Sequence, residues 1–551
     1  MTITLQQINP TPGDIEGNSK MIVDAVKAAA ASGSDLIVFP ELAVTGYPPQ
    51  DLLERKTFID DVEVAVSNIC SECRGIAAIV GAPVRSRAER GKPLFNSALF
   101  IREGKVEKVI NKTLLPSYDV FDETRYFEPA TEADRTVELS GKKIAVTICE
   151  DIWADEPPAG SGKMRSIYTV DPVEQLKRGG HDLHINIAAL PFSHNRIAVR
   201  EEVMRRRASQ TGMPLIMVSQ CGGNGELLYD GSSLALSPEG KIVNRLPLFK
   251  ESSASVTLDS LINAKDECRP LPPKNEMVLR ALVAGVRDYC RKSGNGKVIM
   301  GLSGGIDSAV TAVIATLALG RDNVTGILMP SRYSSDHSIS DAYHLAHNLG
   351  ISYHIVSIEE TFRSFEMILN EILDDKPDTT EENIQARIRA IILMAWANKK
   401  GGLVLNTSNK SETAVGYGTL YGDMAGALSV PGDLYKTELY DLARYINRDS
   451  TIIPAGSLTK PPSAELKSDQ CDQDTLPPYD LLDEILFRHI EMQENIESIA
   501  SRGFDRELVR RVITMLRTNE HKRYQAAPTL RVSVKAFGSG RRIPLVSGYR
   551  S

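Results

Sequence analysis

The sequence predicts two α/β domains joined by a short proline-rich segment, and three observations carry that prediction. The chain holds 551 residues, more than one hydrophobic core sustains, since domains usually span roughly 100 to 250 residues. Short apolar runs of strand length alternate with amphipathic stretches through both halves. Between Asn263 and Lys274 this pattern gives way to charge and to Pro270, Pro272 and Pro273, the composition of a linker. The expected division is a first domain over 1–262, a linker over 263–274 and a second domain over 275–551.

In the first half the apolar runs Leu36 to Phe39, Ile76 to Gly81, Ser97 to Ile101, Lys143 to Ile148, His184 to Ala188 and Leu215 to Ser219 read as buried strands. Amphipathic stretches at Asn18 to Ser32 and Ile197 to Thr211 lie between some of them and predict helices covering a layered sheet. In the second half a helix is expected over Glu276 to Lys292. A strand over Lys297 to Leu302, a glycine-rich turn and a second helix over Ser308 to Leu319 follow it. Further strands at Val324 to Met329, Tyr353 to Ile358 and Leu403 to Asn406 alternate with helices, which predicts a mostly parallel, doubly wound sheet with ligands beyond the strand C-termini. The Pro-, Ser- and Asp-rich stretch Pro461 to Tyr479 reads as a mobile loop.

Composition excludes several classes. With 42% hydrophobic and 25% charged residues the chain is ordinary globular protein rather than disordered or fibrous. A net charge of -7 with a pI near 5.9 argues against nucleic acid as a partner. Met1 to Gln7 lacks the basic flank and apolar core of a leader, and no run approaches the ~18 apolar residues of a membrane span. A cytoplasmic protein without a membrane partner is therefore expected. Seven cysteines without a framework spacing suit a reducing compartment. Cys70 and Cys73 have metal-like spacing but no partner pair, so they read as two small residues on a helix.

Three strand ends carry chemistry in the first half. Cys149 follows the apolar run ending at Ile148, Glu41 follows Leu36 to Pro40, and Lys112 follows Val106 to Ile110. Amide hydrolysis by a thiol needs a nucleophile, a base for its proton and positive charge for the developing oxyanion. Cys149, Glu41 and Lys112 supply these in turn, although a buried cysteine beside a structural ion pair accounts for the same residues. In the second half, Gly301, Leu302, Ser303, Gly304, Gly305, Ile306, Asp307 and Ser308 stand between strand and helix. Glycines there let backbone amides approach phosphate, the helix N-terminus adds favourable field, and Asp307 offers a hard oxygen ligand for magnesium. The string lacks the Gly-Lys-Ser or Gly-Lys-Thr of a Walker loop.

Phe-Pro-Glu-Leu at 39–42, Asn-Lys-x-x-Leu-Pro at 111–116 and Cys-Glu-Asp at 149–151 resemble the nitrilase superfamily, over roughly the first 260 residues. The resemblance implies a four-layer αββα sandwich with Cys149 as nucleophile, Glu41 as general base, Lys112 at the tetrahedral intermediate and Glu123 orienting Lys112. The run Tyr118 to Phe127 is similar to the glutamine-hydrolysing domain of NAD synthetases in particular, which implies that Tyr118 holds glutamine. Where that family has Ala-Ser-Pro and then a basic residue, this chain has Ala189, Leu190, Pro191 and Arg196. Either Ser193 or a backbone group replaces the missing hydroxyl.

The Ser-Gly-Gly-Ile-Asp-Ser string resembles the pyrophosphate loop of enzymes that adenylate a carboxylate or carbonyl. Glu381 to Arg389, Asn406 to Glu412, Tyr421-Gly-Asp423, Lys436 and the segment around Ser463 are similar to NAD synthetases, over most of 275–551. This implies ATP against the loop and against Thr407, Lys436 and Ser463, with magnesium on Asp307 and Glu412. It further implies deamido-NAD against Asn383, Arg387, Glu412, His521 and Lys522. Stand-alone ammonia-using synthetases place a lysine where this chain has Leu420, so that contact is not carried over. The expected activity is amidation of deamido-NAD by ammonia released from L-glutamine, with ATP activating the acid, in a homo-oligomer. A different amidotransferase acting on another adenylated acid, and a nucleotide-regulated binding protein with an inert first half, are the alternatives. Glu41, Lys112, Cys149 and Asp307 are all intact, which speaks against the second.

Overall fold

The computed structural model describes residues 1–132, 134–157, 166–177, 179–264, 270–373 and 378–549, so residues 265–269 of the expected linker lie outside the described residues. Two compact units, Met1–Pro272 and Pro273–Ser551, make up the chain.

The first unit is a sandwich of two six-stranded sheets. One contains β1 (Thr2–Gln7), β2 (Leu36–Val38), β3 (Ala77–Arg85), β4 (Leu94–Arg102) and β5 (Lys105–Asn111). The other contains β6 (Thr136–Leu139), β7 (Lys142–Ile148), β8 (Leu183–Ala188), β9 (Leu215–Ser219), β12 (Leu234–Leu236) and β13 (Ile242–Arg245). Strands β10 (Cys221–Asn224) and β11 (Leu227–Asp230) form a hairpin, and β14 (Ser252–Thr257) returns to pair with β1, giving the orders β14-β1-β2-β3-β4-β5 and β13-β12-β9-β8-β7-β6.

Side chains alternate across each sheet with period two, and the sequence uses both faces. Leu36 and Val38 join Ile79, Phe100, Ile144, Ile148, Ile185 and Ile187 in the core between the sheets. Ile37, Phe39 and Val80 point the other way, against Ile22 and Val26 of the helix Ile15–Ala31 and Val62 and Ile69 of the helix Lys56–Glu72. The helix Arg196–Thr211 turns Val203, Met204 and Ala208 onto the second sheet. The result is an αββα stack. Burying each large aliphatic side chain stabilises it by about 1.5–3 kcal/mol, so truncating a core residue such as Ile185 to alanine costs roughly 2–5 kcal/mol.

Topology aligns the strand ends that matter. β2 runs parallel to β3, and the two antiparallel steps β3 to β4 and β4 to β5 return β5 to the direction of β2. Glu41 and Lys112 therefore leave the sheet at the same edge.

In the second unit β15 (Val298–Gly301), β16 (Val324–Leu328), β17 (Ser352–Ile355), β18 (Leu403–Asn406) and β19 (Leu428–Ser429) form one parallel sheet in the order β17-β16-β15-β18-β19. Connections reverse direction between β15 and β18, which opens a crevice at their C-terminal ends. The helix Lys274–Lys292 packs against the helix Ile306–Leu319 that follows the glycine turn. Pro461 to Tyr479 contains one 3-10 turn, Asp472–Asp474, before the helix Tyr479–Ile490.

Candidate active sites

In the first unit Lys112 Nζ lies 2.6 Å from Glu41 Oε1 and 2.8 Å from Glu123 Oε1, with Lys112 and Glu41 fully excluded from solvent. Asn96 Nδ2 donates to Glu41 Oε1 at 2.7 Å, and the Ala189 amide donates to Glu41 Oε2 at 3.0 Å. Tyr47 Oη donates to Glu123 Oε1 at 2.9 Å. Close packing under Glu41 requires a glycine in β3, because a Cβ on Gly81 would stand 2.4 Å from Pro40 O and from Leu42 N.

Cys149 begins the 3-10 turn Cys149–Ile152 directly after β7 and is held at a φ of 42°, a region non-glycine residues seldom occupy outside constrained sites. Asp151 supplies the constraint. Its Oδ1 accepts from Thr113 N at 3.0 Å and Leu114 N at 2.9 Å, while Oδ2 accepts from Ile148 N at 3.1 Å. The turn bearing the thiol is thereby tied to the segment bearing Lys112. Buried Arg207 adds a second brace, donating from Nε to Ile152 O at 2.9 Å and pairing with Asp155 and Asp171.

Burial, with the Glu41 carboxylate close by, pushes the Cys149 thiol well above its ordinary range against the opposing pull of Lys112. Burial also raises Glu41 to about 7, with Lys112 pulling it down and Glu123 pushing it up. For Lys112 burial favours the neutral amine, but Glu123 and Glu41 outweigh it and hold the ammonium well above its ordinary range. The resting arrangement is a neutral thiol beside a carboxylate that titrates near neutrality and a permanent cation. That combination suits proton transfer coupled to nucleophilic attack.

Around this centre Tyr118 Oη and Tyr168 Oη both donate to Glu150 Oε1 at 2.8 Å. The Arg196 guanidinium stacks over the Trp153 ring at 4.8 Å. Ser193 is buried and its Oγ has no hydrogen-bond partner among the described residues, which offers a hydroxyl to a ligand near the departure at Leu190.

The second unit carries a cavity of about 590 Å³ at the crevice. Gly301 through Ser308 line it, together with Asn383, Thr407, Glu412, Lys436, Ser463 and Lys522. Gly304 has a φ of 78°, and a Cβ there would stand 2.2 Å from Ser338 O, so the turn admits only glycine at this position. Lys436 Nζ bridges Asp307 Oδ2 at 2.6 Å and Glu412 Oε1 at 3.1 Å. Burial raises Glu412 to about 8, with Lys436 opposing. Burial alone would lower Lys436, but Asp307 and Glu412 hold it well above its ordinary range. Asn383 Oδ1 accepts from Thr419 Oγ1 at 2.6 Å, and Lys522 Nζ donates to Gly416 O and Gly418 O at 2.7 and 2.8 Å. Ser463 Oγ accepts from Glu465 N at 3.1 Å, and Glu465 in turn accepts from Ser335 Oγ and Ser338 Oγ at 2.8 Å. The segment expected to be a loop is tethered there to the rim of the cavity. Two residues of the expected dinucleotide set stand outside the lining. Arg387 Nε donates to Leu420 O at 3.2 Å, and exposed His521 is hydrogen-bonded through Nδ1 to Thr518 O at 3.1 Å.

Other residues complete these sites to which the sequence alone assigns no role, although Glu150, Arg389 and Asn409 stand within the quoted strings. Asn409 Nδ2 donates to Asp307 Oδ1 at 2.7 Å while its Oδ1 caps the helix Lys410–Val415 at Glu412 N, so it sets both carboxylates. Arg389 lines the cavity, and burial lowers its guanidinium to about 10. Asn96, Glu150 and Tyr168 surround the thiol centre. An isolated Asn or Tyr between apolar residues gives no signal in one sequence. Arg389 stands two residues beyond Arg387 on one helix, where spacing alone does not separate a cavity residue from a solvated face.

Comparison with known proteins gives two family-model matches, carbon-nitrogen hydrolase over residues 2–266 and NAD synthase over residues 278–526. The glutamine-dependent NAD(+) synthetase of Synechocystis sp. is 45% identical over 557 residues, spanning 100% of this chain and 99% of its own length. That of Thermotoga maritima is 40% identical over 587 residues, with 100% and 99% covered. The solved structure of glutamine-dependent NAD+ synthetase from Acinetobacter baumannii in complex with adenosine diphosphate superposes with a TM-score of 0.78 at 36% identity, over 99% of this chain and 98% of that one.

Proposed function

Because this chain belongs to the glutamine-dependent NAD(+) synthetases, ligases that form a carbon–nitrogen bond with glutamine as amide donor, we propose the following division of labour between its residues. One observation carries it. A buried cysteine–glutamate–lysine centre in one unit coexists with a pyrophosphate loop facing two carboxylates and a lysine in the other.

In the first unit Cys149 Sγ attacks the side-chain amide carbon of glutamine while Glu41 takes the thiol proton. Lys112 stabilises the oxyanion, and Glu123 fixes Lys112. Collapse of the tetrahedral intermediate breaks the carbon–nitrogen bond, with Glu41 returning the proton to the leaving nitrogen as ammonia. Water then attacks the thioester carbon and gives its proton to Glu41; the carbon–sulfur bond breaks, glutamate leaves, and Glu41 returns the proton to the Cys149 thiolate. Tyr118, Arg196 and the unpartnered Ser193 hydroxyl hold the amino-acid end of glutamine.

In the second unit ATP lies against Gly301 to Ser308, Thr407, Lys436 and Ser463. The Acinetobacter baumannii relative was solved with adenosine diphosphate, which supports an adenine nucleotide as a ligand. The deamido-NAD carboxylate attacks the α-phosphorus, pyrophosphate leaves, and ammonia displaces AMP from the mixed anhydride. Asn383 and Lys522 meet the dinucleotide from the cavity wall, and Arg387, Glu412 and His521 are assigned to it on the family resemblance. Magnesium fits this site. Asp307 and Glu412 offer carboxylate oxygens that converge on one point, where both now meet Lys436 Nζ, the hard oxygen donors magnesium prefers. Among the described residues no group of three or more His, Cys, Asp and Glu could hold a metal alone; magnesium here would take its remaining ligands from phosphate oxygens and water. When bound, magnesium neutralises phosphate charge, and Lys436 does the same from its place between the carboxylates.

Ammonium does not act as a nucleophile, so release of free ammonia inside the enzyme and its passage to the second site keep it reactive. We also read the protein as a cytoplasmic homo-oligomer. Exposed apolar side chains at Met367, Ile368, Ile372 and Ile391 support the oligomer, and no described helix is long and apolar enough to cross a membrane. Replacement Cys149→Ala tests the division: glutamine no longer supports NAD synthesis, while added ammonium salt still does. Loss of both activities, or retention of both, overturns it.

A further inference from the structure

Glu41 presents four lone-pair positions on its two oxygens, and the described residues fill three of them. Oε1 accepts from Lys112 Nζ at 2.6 Å and from Asn96 Nδ2 at 2.7 Å, and Oε2 accepts from Ala189 N at 3.0 Å. One position on Oε2 remains. Asn96 is itself fixed from both sides of its backbone, since β4 pairs with β3 through it and its carbonyl accepts from Lys112 N at 2.8 Å. Its amide also reaches Glu123 Oε2 at 3.4 Å, while its Oδ1 is buried and accepts nothing. The opposite amide orientation would set Oδ1 against an ionised carboxylate oxygen at the same distance, so Nδ2 faces Glu41 whenever Glu41 is charged.

We propose that Asn96 is a positioning residue for glutamine hydrolysis. By closing Oε1 beside Lys112, it makes Oε2 of Glu41 the atom that takes the proton from Cys149 Sγ and hands it to the leaving nitrogen. The inference rests on the assignment of Glu41 as base. Atoms balance through the cycle: the S–H bond breaks as the O–H bond forms on Oε2, sulfur bonds to the amide carbon, and the proton leaves on ammonia. The other charged or titratable groups facing Glu41 are Lys112, Glu123, Cys149 and the Tyr47 phenol, each from a different segment. The Asn96 hydrogen bond is among the influences that lower the Glu41 carboxyl.

A hydrogen bond to the charged form of an acid lowers its pKa. Without it, the acidic limb of glutaminase kcat/KM moves upward by about one pH unit. The test measures that limb in the full-length enzyme for wild type, Asn96→Ala and the isosteric Asn96→Asp, with ammonia-supported NAD synthesis as the control for the second unit. Expected is an upward shift in Asn96→Ala, a larger one in Asn96→Asp, where a carboxylate faces Glu41, and unchanged ammonia-supported synthesis. If Asn96→Ala is inactive, Asn96→Asp decides. A limb that stays at the wild-type pH in the variants that turn over, even with reduced kcat, overturns the inference and leaves Asn96 a structural residue. Glu41→Gln separates the two readings: if it retains glutaminase activity, the base assignment itself fails.

Discussion

Lys112 Nζ and Glu41 Oε1 meet at 2.6 Å with neither side chain touching solvent. A buried ion pair adds little net stability, but removing one partner strands the other. Here Lys112 serves two carboxylates, Glu41 and Glu123, so its loss strands both.

Replacement Lys112→Met is therefore expected to destabilise the first unit by roughly 3–5 kcal/mol and to abolish glutaminase activity. The deficit has a pH signature. Glu41 already stands above the usual carboxylate range, at about 7, and loses a lowering influence in the variant. A carboxyl with a raised folded pKa keeps its proton in the folded state, so its contribution is present below the unfolded pKa and lost as pH rises through the folded one. Urea unfolding should show a larger gap from wild type at pH 8 than at pH 6; an equal gap contradicts the account.

Glutaminase activity of the wild type should follow the ionisation of Glu41. With the base near 7, kcat/KM is expected to level off above that pH and to fall about tenfold per unit below it. A profile flat from pH 5 to pH 8 excludes Glu41 as the titrating base.

Replacement Lys436→Met leaves Asp307 and Glu412 without their shared cation. Ammonia-supported NAD synthesis is expected to fall by about two to three orders of magnitude, with glutaminase activity intact. Thermal stability of the variant should depend more steeply on magnesium than that of the wild type, measured by Tm across a magnesium titration. An unchanged magnesium dependence argues against the two carboxylates as the metal site.

Gly304 tests the pyrophosphate loop. Its φ of 78° and the 2.2 Å approach that a Cβ would make to Ser338 O mean that Gly304→Ala has to move backbone, at a cost of roughly 1–3 kcal/mol. Calorimetric titration with ATP should show binding lost or weakened at least tenfold, with glutaminase unaffected. Wild-type affinity contradicts the assignment.

Much of this was legible in the chain because chemistry sits at strand ends. Leu36 to Val38 and Ile144 to Ile148 are buried on both faces and almost wholly apolar, so the strands announce themselves and Glu41 and Cys149 follow. The edge strand β14, Ser252–Thr257, was not legible: small polar residues alternate with half-exposed ones, and its place is fixed by pairing with β1 across the whole first unit. Glycines in Cys221–Asn224 likewise hide a hairpin strand. Within the sites, motif residues stood out while their neutral neighbours Asn96 and Asn409 did not. An asparagine becomes meaningful only when folding sets its amide against a particular carboxylate.

The most direct measurement supplies the purified protein with ATP, magnesium, deamido-NAD and glutamine carrying heavy nitrogen at the side-chain amide, then weighs the dinucleotide. NAD bearing the label, with AMP and pyrophosphate formed in equal amount, is the predicted result. Glutamate released without labelled NAD would contradict the account, because the two sites would then not serve one reaction.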